Sequence, residues 1–173
     1  TDRRQRQMCI RDSGYTPAQE SQKLANKGYR SYQQALYYQS LGTPKDAAKS
    51  RTALKKAHKF LRQAAKKDQK NVRAFALLGE VLAMQGEQRK AIGAFTFALQ
   101  LSPKYFDAWL SRAKILLDMG LLSDVQKSYD VLARNEPDLA NELLAAIDIW
   151  LTQRQSPLSD TDGAFKEWRN SLT

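Results

Sequence analysis

Cysteine is almost missing from this chain: Cys9 is the only one among 173 residues, and His58 is the only histidine. A disulfide framework is excluded, and a zinc site of the usual Cys and His ligands lacks its donors. Eight glycines and five prolines are too few for a turn-rich fold of many short strands. No apolar run approaches the roughly 18 to 20 residues that a membrane-spanning helix needs. No glycine-rich phosphate loop is present, and no serine stands in a triad pattern with the lone histidine. No catalytic, cofactor-binding or metal-binding residues are therefore expected.

Acid is scarce in one segment only. Residues 14–71 hold thirteen Lys/Arg against three Asp/Glu, a net of +10, whereas residues 72–173 hold eleven against thirteen. The basicity of the chain belongs to one end.

The opening TDRRQRQMCIRDS has no apolar period. Its run Gln7 to Ser13, QMCIRDS, resembles the translation of a transposase adapter, since CAG ATG TGT ATA AGA GAC AGC encodes it. Residues 1–13 are expected to be an artefact of metagenomic origin or disordered, with the natural start lying elsewhere. The rest of the chain is then free of cysteine, so redox reasoning leaves bacterial cytoplasm and periplasm equally open.

What is present is a period. From Val72 the chain reads VRAFALLGEVLAMQGEQRKAIGAFTFALQLSPKY, and from Phe106 it reads FDAWLSRAKILLDMGLLSDVQKSYDVLARNEPDL. The two superimpose without a gap: Phe75 on Trp109, Gly79 on Ala113, Leu82 on Leu116, Gly86 on Gly120, Phe95 on Tyr129 and Pro103 on Pro137. A fixed interval of this size signals stacked supersecondary units. Each unit has an apolar stripe of helical period, a glycine where the chain must turn, a second stripe and a proline stop. The small residue at 79 and 113 lets the two helices approach to about 8 Å. The aromatics at 75, 95, 109 and 129 are expected to fill the space between units, at roughly 1.5–3 kcal/mol each when buried.

These residues resemble the tetratricopeptide repeat (TPR) family. Residues 72–105 match its pattern at Phe75, Leu78, Gly79, Ala91, Phe95, Ala98 and Pro103; residues 106–139 keep Trp109, Tyr129 and Pro137 but carry Arg112, Val125 and Leu132 at three other pattern positions. The resemblance implies an all-α, TPR-like right-handed α-solenoid of antiparallel helix hairpins.

Upstream, ALYYQSLG from Ala35 to Gly42 repeats the offsets, but Ala57, Leu61 and Ala64 lie ten residues later than the pattern requires. Thr16-Pro17 and Thr43-Pro44 read as N-cap and N1 proline. Residues 14–71 are therefore expected to form a long basic hairpin of helices at about 17–41 and 44–67. Downstream, residues 140–173 read as a half repeat, with Leu143, Ile147 and Trp150, followed by a capping helix at roughly 161–172 with Phe165, Trp168 and Leu172 on one face.

In TPR proteins the first helix of each hairpin lines a concave groove for peptides or partner helices. The resemblance places Arg73, Ala76, Glu80 and Ala83, then Asp107, Leu110, Lys114 and Leu117, then Asn141, Leu144, Asp148 and Leu151 at those positions. The apolar members are expected to hold a ligand strip and the alternating charges to pair with it or with one another. The competing reading is that the C-terminal helix or the basic hairpin covers these leucines. The carboxylate clamp for acidic tails is disfavoured by Ala76, Leu77, Glu80 and Leu110.

The basic segment over 45–70, read as a helix, places Leu54, Ala57, Leu61, Ala64 and Ala65 in one arc and Lys45, Lys49, Lys55, Lys56, Lys59, Arg62, Lys66 and Lys67 opposite. This face suits RNA phosphate or anionic membrane, or is simply solvated. Of the tyrosines at 29, 32, 37 and 38, Tyr38 is expected in the core because it matches Leu82 and Leu116. The reading is a non-catalytic scaffold for a protein partner, with the electrostatic adaptor as its alternative.

Overall fold

Threonine, then proline, starts each of the first two helices. Thr16 caps α1 (Pro17–Leu41): its hydroxyl accepts the Gln19 amide at 3.2 Å while Gln19 Oε1 accepts the Thr16 amide at 2.9 Å. Thr43 caps α2 (Pro44–Lys67) by accepting the Asp46 amide at 3.1 Å. Such caps satisfy backbone donors that the first turn leaves orphaned. The computed structural model describes residues 14–154 and 157–173. The reading of residues 1–13 lies outside them.

Six further helices follow among the described residues: α3 (Val72–Met84), α4 (Gln88–Leu101), α5 (Phe106–Asp118), α6 (Leu122–Asn135), α7 (Pro137–Thr152) and α8 (Asp160–Ser171). The chain is all-α, in hairpins of the expected kind. The turn glycines Gly86 and Gly120 have φ of 78° and 71°, which a residue with a Cβ rarely adopts. The last helix begins one residue earlier than expected because Ser159 accepts the Asp162 amide as its N-cap. Leu172 falls beyond its end and is exposed.

The chain divides into two compact units, one up to Ser102 and one from Pro103. In the first, α1 and α2 form the long hairpin, α3 and α4 form the next, and α3 packs on both α1 and α2. The core between them is rich in alanine: Ala25, Ala35, Ala57, Ala64 and Ala74 are fully buried beside Leu61 and Val81. In the second, α5 pairs with α6, and α7 packs on both and on α8.

The helices of a hairpin touch through glycine. A Cβ built on Gly79 would lie 2.8 Å from Phe95 Cζ, and one on Gly28 would lie 2.6 Å from Leu61 Cγ. The short residue at 79 behaves as the sequence indicates, but Phe95 fills its own hairpin rather than a gap between units. Phe75, Trp109 and Tyr129 are only half-buried. With a Cβ already present at Ala113, the ring of Tyr129 stands further out and meets Trp168 edge-on at 5.5 Å. In the long hairpin the close pair is Gly28 and Leu61, two turns nearer the N-terminus than Ala35. Tyr38 is accordingly half-buried, and Tyr32 is the tyrosine packed on the core.

A buried polar tie joins three helices. Ser21 Oγ donates to the Ala64 carbonyl at 2.7 Å, Asn71 Nδ2 donates to Ser21 Oγ at 2.8 Å, and Asn71 Oδ1 accepts the Ala74 amide at 3.0 Å. Asn71 thus caps α3 while fixing where α1 and α2 meet it.

Replacing Gly79 by valine should lower the unfolding free energy by about 1–3 kcal/mol through overpacking against Phe95. Gly93→Ala, at an exposed helical position with open space around it, should raise it by about 0.5–1 kcal/mol. Urea unfolding followed by circular dichroism checks both signs.

Candidate partner-docking surfaces

In the first unit, α3 has α1, α2 and α4 as neighbours, which leaves little of its circumference free. Ala76, expected to offer an apolar contact to a ligand, is 5% exposed and belongs to the packing. Arg73, Glu80 and Ala83 are half-buried. Arg73 Nη1 donates to Asn26 Oδ1 at 2.6 Å, and its guanidinium lies 5.2 Å from the Tyr29 ring centre. One turn further along α1, burial pushes the Tyr32 hydroxyl up to about 12, helped by the Glu80 carboxylate and by Tyr29. A face of Asn26, Tyr29, Tyr32, Arg73 and Glu80 results. The α1 half of this face was not legible beforehand, because the offset of the long hairpin hides which α1 residues oppose α3.

In the second unit, Leu110 and Leu117 are buried, at 6% and 2% exposure, so neither is available as the expected ligand strip. The half-repeat leucines, Leu144 and Leu151, keep partial exposure, and Asp107 and Asn141 are exposed. The charges pair locally. Lys114 Nζ meets Glu142 Oε1 at 2.7 Å, and Arg169 of α8 grips Asp148 with two bonds of 2.9 Å. A bidentate fork of this kind fixes geometry as well as adding energy.

Beside that fork, Phe165 is buried, stacks on Trp168 at 5.2 Å and meets Trp150 edge-on at 5.9 Å. The α7 charge predicted for the groove is thus held by the C-terminal helix. Arg112, at a pattern leucine position, lays its guanidinium 4.7 Å from the Trp109 ring centre as a cation–π contact, and burial lowers its pKa.

All eight predicted cations on α2 are exposed. Two have acidic partners: Lys49 meets Asp46 at 3.4 Å and Lys67 meets Glu20 at 2.8 Å. Arg51 is exposed as well and, at 100° per residue, falls on the same side of the helix. His58 is held by Gln85, with Nδ1 to Oε1 at 3.0 Å, so it tethers α2 to the end of α3. Among the described residues no group of three His, Cys, Asp or Glu side chains is arranged to hold a metal ion.

Short hairpins of this packing have solved counterparts. A thermophilic TPR protein of Thermus thermophilus aligns with a TM-score of 0.56 at 22% identity, over 64% of this chain and 57% of that one. The fold is the TPR fold. The TPR domain of Arabidopsis OM64 aligns with a TM-score of 0.52 at 13% identity, over 91% of this chain and 99% of that domain. The chain therefore spans a little over half of the Thermus protein and the whole of the plant domain. No family model and no curated protein matches the sequence. α3 and α5 open the two hairpins expected from the sequence to be regular repeats, and α7 opens the expected half repeat.

A tyrosine whose hydroxyl titrates higher when folded binds its proton more tightly in the native state. Its contribution is complete below the ordinary value near 10 and is lost as pH rises toward 12. Tyr32→Phe should therefore lose less stability than the parent between pH 9 and pH 11, measured by urea midpoints at the two values.

Proposed function

We propose that this chain is a non-catalytic protein-interaction scaffold that docks a peptide or helix of a partner protein on the first-helix faces of its TPR hairpins. The observation that carries the reading is the α1 and α3 face of the first unit. Tyr29 and Leu36, 37% and 41% exposed, stand two turns apart on the α1 side that carries Tyr32, with Arg73 beside Tyr29. Tyrosine and arginine, as at Tyr29 and Arg73, are among the residue types that dominate binding energy at protein interfaces. Glu80 and Ala83 extend this face along α3. In the second unit, Asp107, Asn141 and the half-exposed Leu144 supply the corresponding positions.

The fold supports the reading because TPR hairpins present a first-helix surface whose backbone is already satisfied. A bound peptide meets side chains on rigid helices, so little ordering cost falls on the scaffold. With half of the apolar ladder buried, at Ala76, Leu110 and Leu117, the face is more polar than the repeat pattern alone implies. A ligand of mixed character suits it: an aromatic or aliphatic residue against Tyr29 and Leu36, with an acidic residue for Arg73.

Random peptides selected on the whole chain should include binders of this composition. Tyr29→Ala or Arg73→Ala should weaken them about tenfold or more, equivalent to about 1.4 kcal/mol, by fluorescence anisotropy. Binders indifferent to both substitutions would remove this face as the docking site.

A further inference from the structure

Along most of its solvent side α2 carries positive charge without an acidic partner among the described residues. Arg51, Lys55, Lys59, Arg62 and Lys66 follow one another at intervals of four, four, three and four residues, and all are exposed. At about 1.5 Å per residue they form a row about 22 Å long, with neighbours about 4.5–6 Å apart along the axis. Four of them, with His58 and Gln63, line a shallow furrow of about 410 Å³.

The three acids of residues 14–71 are all engaged at helix ends. Asp46 accepts the Thr43 hydroxyl at 2.6 Å, Glu20 pairs with Lys67, and Asp68 accepts the Lys70 amide at 2.9 Å. No ion pair joins any of the five cations among the described residues, although like charges at such intervals repel along a helix. We propose that this row is a docking strip for the phosphate backbone of duplex nucleic acid, independent of sequence.

Charge complementarity selects the occupant. A duplex carries one negative charge per about 1.7 Å of its axis, so a row of 22 Å lies against more phosphates than it has cations. Lysine and arginine reach phosphate oxygens singly or as a fork, and Gln63 adds a neutral donor beside them. No Phe, Tyr or Trp interleaves the row, and the one ring in it, His58, is half-buried and held by Gln85, which disfavours base stacking and with it a single-stranded target. A bilayer surface fits less well. Helices that lie on membranes insert an apolar face, and here that face, Leu54, Ala57, Leu61 and Ala64, is buried within the protein.

The test titrates the whole chain with a fluorescent duplex of about 20 base pairs between about 50 mM and about 200 mM salt. Four or five phosphates neutralised give a slope of log K against log salt of about −3.5 to −4.5. K55Q/K59Q/K66Q should flatten that slope by about 2.7 and leave peptide binding at Tyr29 and Arg73 unchanged. Its unfolding midpoint should hold or rise, since repulsion is relieved, which separates lost binding from lost folding. Arg3, Arg4, Arg6 and Arg11 are common to both proteins, so a slope that the triple substitution leaves intact overturns the strip. Binding to phosphatidylserine vesicles but not to the duplex overturns it equally.

Discussion

Everything in this protein rests on helices meeting where a side chain is missing. Gly79 under Phe95 and Gly28 under Leu61 are contacts in which even one Cβ would collide with its neighbour. Alanines extend the same closeness along α1 and α2, and the resulting interior is thin, dense and low in large side chains. A core of this kind leaves little room for repacking, so the register of each hairpin is fixed by where its smallest residue falls. The polar tie of Ser21, Ala64 and Asn71 then holds that register at the junction of three helices.

That close packing also governs what the surface offers. A helix touching several others has one narrow stripe left for solvent. On α3 the stripe holds Arg73, Glu80 and Ala83, and on α7 it holds Asn141, Leu144 and Asp148. The scaffold uses much of this stripe itself, since Asn26 and Tyr29 take Arg73 while Arg169 takes Asp148. A partner at these places must match or displace the existing contacts, which favours a ligand bringing its own charge over a purely greasy one. On α2 the circumstances differ: Arg51, Lys55, Lys59, Arg62 and Lys66 have no acidic partner among the described residues, and Asp46 and Asp68 are engaged at the helix ends.

Local features were legible in the residues because they depend on residues a few places apart. Thr16-Pro17 and Thr43-Pro44 gave the first two helices their starts, and the interval from Gly86 to Gly120 gave the repeats. The amphipathic arcs of α2 came from rotation alone. Reading failed where distance entered. Alignment with Leu82 points Tyr38 to the core, but two extra turns in the hairpin move the close contact to Gly28, and Tyr32 packs on the core instead.

Composition and period by themselves determined that this chain would be a series of antiparallel helical hairpins with a basic outer face on the second helix. They could do so because helix period, capping and turn glycines act within one or two turns. Which side chains remain accessible was decided only by tertiary structure. Leu110 and Leu117 stand at positions that a repeat pattern marks as ligand-facing, yet they are buried, and Arg169 reaches Asp148 across twenty-one residues. Exposure is a property of how many neighbours a helix acquires, and no single helix encodes that number.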